Sequence, residues 1–197
     1  MTSTRRRMTA EARREQLLDA CAAIVDLEGF HAVTIERVAN ECGVTRTVVY
    51  QQFGGLDGLL DALVERASER AGAAFAEATA ADGEPSVRSA MSRVLDAVDA
   101  DPATWRMFLV APQIGPPALA SSLANGRAMI RDVSMSAFED GPGAPEDPEL
   151  AARMLQVVAD ELVRLRLADP SVYTTERILA QIDVVAAALL RPKRARR

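Results

Sequence analysis

One stretch of the chain places side chains that can read DNA bases at the start of a short predicted helix. The segments TIERVANEC and TRTVVYQQF, joined by Gly43 and Val44, have the lengths of two short helices separated by a glycine-containing turn. In a helix-turn-helix of this kind the first helix braces the second, whose first residues enter the major groove. Arg46 can donate two hydrogen bonds to guanine, Gln51 can contact a base edge or a phosphate, and Val48 can pack on a thymine methyl group. The spacing therefore predicts a DNA-binding site.

A wider stretch, GFHAVTIERVANECGVTRTVVYQQFGGLDGLL, resembles the DNA-binding signature of the TetR family, the tetracycline-repressor-like regulators. The resemblance covers roughly residues 9 to 64, and the GVT turn, Tyr50, Phe53 and the Leu59-Leu60 pair fall in register together. It implies an all-helical homodimer that binds a double-stranded DNA operator and represses nearby genes until a small-molecule effector binds its C-terminal domain.

The resemblance also implies roles for individual residues at the DNA. The implied phosphate contacts are Thr34, Thr45, Tyr50 and Gln52, and the implied base-reading positions are Arg46, Thr47 and Val48. Three positions depart from the family's usual pattern. Thr47 and Val48 stand where a small residue and a hydroxyl are common, and Leu56 replaces the usual lysine at the start of the fourth helix. An operator sequence therefore does not follow from the resemblance.

The elements that position these residues are all predicted to be helices, because apolar residues recur at three- and four-residue spacing between clusters of proline and glycine. The predicted helices span about 9–28, 34–43, 45–53, 56–80, 85–100, 101–110, 116–139, 148–168 and 175–191. With about nine predicted helices, the chain is expected to have an all-α fold. We expect a three-helix helix-turn-helix domain over 1–55 and a helical ligand-binding and dimerisation domain over 56–197, ending in a basic tail.

The second predicted domain carries side chains suited to an apolar ligand. Ligand pockets are mostly apolar with a few polar anchors. The predicted ligand-binding residues are Trp105, Phe108, Met129, Phe138 and Met154. The alternative is that these residues simply pack in the core, as methionine and aromatic residues at helical spacing usually do. A hydrophobic effector is the expectation.

Two helices near the C-terminus are apolar over much of their circumference, which requires more than one packing partner. Paired across a two-fold axis, they would form a four-helix interface. The predicted dimer-interface residues are Leu155, Val158, Leu162, Ile178, Ile182, Val185 and Leu189. The alternative is that both helices are buried within one chain.

Composition narrows the function classes. The chain of 197 residues is 49% hydrophobic and 26% charged, a globular composition, and no apolar run approaches the roughly 20 residues of a membrane span. We expect a cytoplasmic protein without a membrane partner. The one histidine, His31, lies in a predicted loop, and neither a metal-ligand cluster nor a nucleophile motif is present, so we expect no catalytic residue, metal or cofactor.

The distribution of charge bears on whether the two ends of the chain contact DNA. The net charge is −5, yet residues 1–55 have equal numbers of acidic and basic residues and 191–197 contain five basic residues and no acidic one. Arg5, Arg6 and Arg7 and this tail either contact phosphates or are solvated. A DNA-binding repressor or architectural dimer that needs no effector also remains open.

Overall fold

The computed structural model describes residues 8–80, 86–110, 115–140 and 144–189. Over these ranges the chain forms nine α-helices, one short 3-10 turn at Phe30–Ala32, and no strand. The helices are α1 Ala10–Glu28, α2 Ile35–Glu41, α3 Arg46–Phe53, α4 Leu56–Ala80, α5 Val87–Ala100, α6 Pro102–Leu109, α7 Pro117–Asp140, α8 Pro148–Ala168 and α9 Thr175–Leu189. The all-α prediction is confirmed. Arg5, Arg6, Arg7 and residues 191–197 lie outside the described ranges.

Polar side chains at the residue before a helix explain where several helices begin. In four cases this side chain accepts a hydrogen bond from a backbone N–H in the first turn of the helix, a donor that has no acceptor within the helix itself. The four residues are Thr9, Ser86, Asp101 and Asp147. Proline follows Asp101 and Asp147 at the first helical position, where a missing N–H costs no hydrogen bond. The predicted start of the fifth helix at residue 85 is wrong, because the Ser86 cap makes Val87 the first helical residue.

One apolar cluster runs through most of the described chain, from α1 to α9. Leu17 of α1, Leu59 and Leu63 of α4, and Ile178 of α9 are all at most 1% exposed. The long helix α4 contacts α1 and α3, and it also contacts α5, α6 and α7. Any movement of α4 is therefore shared by the helix-turn-helix and the C-terminal helices. The division at residue 55 stays a prediction, since this core continues across it.

The apolar stripe predicted to form the dimer interface faces largely into the protomer. Ile178 and Ile182 are buried in the core, so in this conformation they cannot form an interface with a second chain. Leu155, Val158 and Leu162 are half-buried and pack against the same core. Val185 is also half-buried, and Leu189 packs on a smaller cluster around Phe138. Helical periodicity identified an apolar face of each helix, but it could not distinguish a partner in the same chain from a partner in another.

Different apolar residues of α8 and α9 are exposed. Leu150, Met154 and Val157 lie at four- and three-residue spacing along α8, and Val184 lies on α9. Val157 and Val184 are 68% and 63% exposed. These four residues, called here the α8–α9 face, are the large apolar side chains of the two helices that the protomer leaves exposed in the described ranges. No helix of the described residues is long and apolar enough to cross a membrane.

Candidate DNA-binding interface and ligand cavity

Helices α2 and α3 form the predicted helix-turn-helix. Val38 of α2 and Val49 of α3 are fully buried, which fixes the packing of the two helices on the core. Gly43 occupies the turn with a φ of 62°, a left-handed conformation that favours glycine, and the Val44 N–H donates to the Ala39 carbonyl at 2.9 Å. The turn therefore sets α3 at a defined position beside α2.

Threonines lie at the residue before each of these helices, but their hydroxyl groups are used differently. The Thr34 hydroxyl accepts a hydrogen bond from the Arg37 N–H at 3.1 Å, and its own proton can still be donated to a phosphate. Thr45 has the extended backbone of a cap residue, but its side chain makes no capping bond. The Thr45 side chain is exposed at the start of α3.

The structure brings the remaining predicted DNA contacts onto one short helix with unequal exposure. Arg46, Thr47, Tyr50 and Gln51 are exposed. Val48 and Gln52 are half-buried, and Val48 packs against the apolar core. The side chain of Val48 is therefore less accessible to a thymine methyl group than its sequence position indicated.

Arg46, the predicted guanine contact, is held by an acidic residue of α2. Its Nη1 donates to Glu36 Oε1 at 2.6 Å, and both side chains are more than half exposed. The hydrogen bond from Arg46 lowers the pKa of Glu36, so this carboxyl group is ionised at neutral pH. The ion pair therefore occupies one guanidinium nitrogen of the residue predicted to contact guanine, and it places a carboxylate beside that residue. Sequence reasoning missed Glu36, because its proximity to Arg46 depends on the turn.

Arg14 of α1 supports the other end of α3. Its guanidinium carbon lies 4.5 Å from the centre of the Phe53 ring, and its Nη1 donates to the Gln52 carbonyl at 3.0 Å. A cation near the last carbonyls of a helix satisfies orphan acceptors and complements the helix dipole. Arg14 is a positioning residue for α3 that no local sequence signal indicated.

The end of α3 and the start of α4 approach very closely. Gly54 ends α3 with a φ of 76°, and its N–H donates to the Tyr50 carbonyl at 2.8 Å. A Cβ atom added to Gly58 would lie 2.0 Å from the Phe53 carbonyl oxygen. Only glycine permits this contact, so Gly58 sets how closely α4 packs on α3.

Replacing Tyr50 with phenylalanine is expected to weaken binding to every DNA sequence by about 1 kcal/mol, because a hydroxyl bonded to phosphate carries no sequence information. Tyr50 is 53% exposed, so removing its hydroxyl leaves the fold intact. Fluorescence anisotropy with a panel of operator variants measures the effect. A loss confined to particular base pairs would instead show that Tyr50 reads bases.

A cavity of about 440 Å³ lies among the C-terminal helices. This volume is within the usual range for small-molecule sites. Helices α4 to α9 all contribute to its lining. Trp105, Phe108 and Met129, three of the predicted ligand-binding residues, are among its lining residues, and their contact with a ligand stays a prediction. Phe138 is buried in the smaller cluster and Met154 is half exposed, and neither is among the lining residues.

The packing of α3 beside α2, with one face of α3 exposed, is the arrangement that defines a helix-turn-helix protein. Residues 17–63 match the profile of the family described as "Bacterial regulatory proteins, tetR family". The matched range includes α2, α3 and the close contact at Gly58. The helix-turn-helix region of this chain is therefore similar to that of tetR-family regulators.

Individual relatives agree with this assignment. HTH-type transcriptional regulator BetI 2 of Chromohalobacter salexigens is 39% identical over 54 residues, 27% of this chain and 26% of that protein. The chain spans about a quarter to about half of the length of the curated relatives it matches.

Solved structures extend the likeness to the whole fold. A TetR-like transcriptional regulator from Rhodococcus sp. RHA1 has a TM-score of 0.74 at 22% identity, covering 91% of this chain and 96% of that one. A SmeT–triclosan complex has a TM-score of 0.71 at 21% identity, covering 94% of this chain and 98% of that one.

Proposed function

We propose that this protein is a ligand-responsive repressor that binds a palindromic operator as a homodimer and is released by a small hydrophobic effector. The observation that carries the proposal is that one fold combines an exposed α3 with an apolar cavity of about 440 Å³. The neighbour SmeT is a complex with triclosan, which supports a small-molecule ligand for this fold.

Two helices connect the cavity to the helix-turn-helix. Helix α6 lines the cavity with Trp105 and Phe108, and on the same helix Arg106 donates to both carboxylate oxygens of Asp26 in α1 at 3.0 Å. Helix α4 lines the cavity near Phe75 and contacts α3 at Gly58. A ligand that prefers a shifted position of α4 or α6 would therefore bias the position of α3.

In a dimer, this change in the position of α3 would alter operator affinity. A two-fold dimer presents its α3 helices to half-sites about 34 to 36 Å apart, or a multiple of this distance, so a change in their separation lowers operator affinity. The α8–α9 face is the surface that we assign to the dimer contact, in place of Ile178 and Ile182. Its exposed apolar residues lie on two helices that also pack on each other.

Replacing Val157 with glutamate is expected to convert the dimer into a monomer, because a charge at the centre of an apolar interface is left without a partner. Val172→Glu is the matched control, since Val172 is an exposed valine in the turn between α8 and α9. Light scattering after size exclusion measures the mass of each variant. A Val157→Glu protein that remains dimeric would place the interface elsewhere.

The proposed function is tested by screening apolar compounds for two effects in parallel. A DNA site selected from a random library supplies the operator, and thermal shift and anisotropy then measure stabilisation of the protein and release of the DNA. An effector should do both. If no compound does both, the alternative of an effector-independent repressor or architectural dimer is favoured.

A further inference from the structure

The polar side chains that line the cavity are mostly committed to partners within the protein. The Ser68 hydroxyl donates to the Val64 carbonyl and the Ser134 hydroxyl donates to the Ile130 carbonyl, each at 2.8 Å. Arg127 and Asp160 form an ion pair at 2.9 Å. Each of these four side chains therefore has at least one hydrogen bond or ion pair within the protein.

Gln156 of α8 differs from them. Its Nε2 atom is fully buried and has no hydrogen-bond partner among the described residues, and the side chain lines the cavity. A buried donor without an acceptor is destabilising, so a ligand that supplies an acceptor at this position would be stabilised. Gln156 lies one helical turn before Asp160, on the same side of α8, so its amide lies near the polar part of an otherwise apolar lining.

We propose that the effector is a neutral, mainly apolar molecule with one acceptor oxygen, such as a ketone, and that the Gln156 side chain turns toward the cavity so that Nε2 donates a hydrogen bond to that oxygen. This inference rests on the proposed function, since it describes the ligand of the same cavity. The acceptor satisfies the buried amide, and the apolar remainder lies against side chains such as Trp105 and Phe108.

The charge of the ligand follows from the ion pair. Arg127 and Asp160 are the charged residues among those lining the cavity, and each neutralises the other. A carboxylate or an ammonium group would therefore enter without an opposite charge of its own, which is costly in an apolar site. A neutral ligand avoids this cost.

The test compares three series of probes of equal chain length: alkyl phenyl ketones, alkylbenzenes and phenylalkyl carboxylates. Titration calorimetry measures their affinity for the full-length wild-type protein, for Gln156→Met, and for Ser121→Ala as a control, because Ser121 is exposed on α7 and does not line the cavity. A net hydrogen bond corresponds to about a three- to tenfold change in affinity. We expect Gln156→Met to lose this factor for the ketones and to leave the alkylbenzenes unchanged. Ser121→Ala should alter neither.

Three results would overturn the inference: ketone affinity that is equal in wild type and Gln156→Met, tighter binding of the carboxylates than of the ketones, or no binding of any ketone. Gln156→Leu provides a second apolar variant if Gln156→Met does not fold. Operator release is measured separately by anisotropy. Ketone binding that depends on Gln156 but leaves DNA bound would support the ligand class and contradict the proposed function.

Discussion

Replacing Gly58 with alanine is expected to lower the free energy of unfolding by about 1 to 3 kcal/mol and to weaken DNA binding. The added methyl group would lie 2.0 Å from the Phe53 carbonyl oxygen, which is a backbone atom and cannot rotate away. Phe53 is the last residue of α3, and Arg14 holds its ring. The overlap is therefore relieved only if α3 and α4 separate.

The direction of this effect is opposite to that of helix propensity. Alanine is favoured over glycine within a helix by about 0.5 to 1 kcal/mol. Gly72 provides the matched control in the same helix α4, because a Cβ atom there meets no atom within 4 Å. Gly72→Ala should therefore raise the free energy of unfolding by about the propensity difference.

Urea unfolding of both variants, followed by anisotropy with the selected operator, measures the two effects. We expect Gly58→Ala to lower both the free energy of unfolding and the affinity for DNA. We expect Gly72→Ala to raise the free energy of unfolding and to leave DNA binding intact in the absence of effector. Equal stability of the two variants would show that α4 can move away from α3 without cost.

Replacing Arg46 with alanine is expected to cost about 1 to 3 kcal/mol in operator binding and to relax the preference at one base pair, through loss of a two-pronged contact to guanine. Because Arg46 is exposed and paired with Glu36 rather than packed in the core, the fold should not be affected. Anisotropy across operators with every single base-pair change measures both the loss and its position.

Arg37→Ala is a matched control within the same motif. The Arg37 guanidinium is paired with Glu28 of α1, with one hydrogen bond at 2.8 Å, so it is directed toward α1 rather than toward the start of α3. Its replacement should leave the pattern of base preference unchanged. A similar relaxation in both variants would indicate a general effect of lost positive charge.

Glu36 refines this experiment. Its carboxylate competes with guanine for Arg46, so Glu36→Gln should strengthen binding to all DNA sequences by removing a negative charge near the phosphates. If Glu36 instead accepts a hydrogen bond from cytosine, Glu36→Gln should change the preference at one base pair. The operator panel used for Arg46 distinguishes the two results.

Local sequence signals determined much of the secondary structure and the position of the DNA-binding motif. Thr34 and Asp147 precede helices whose first turns need a hydrogen-bond acceptor, and Gly43 supplies the left-handed turn between α2 and α3. These features act over three or four residues. These features can therefore be predicted from the local sequence without reference to the rest of the fold.

The tertiary structure alone decided which groups meet across larger distances in the chain. The pairing of Arg46 with Glu36, the contact of Arg14 with Phe53 and the overlap at Gly58 depend on how the helices cross. The apolar stripes of α8 and α9 were visible in the sequence, but only packing placed Ile182 inside the protomer and left Val157 exposed. Periodicity specifies a helix face, and the partner of that face is set by the packing of the whole chain.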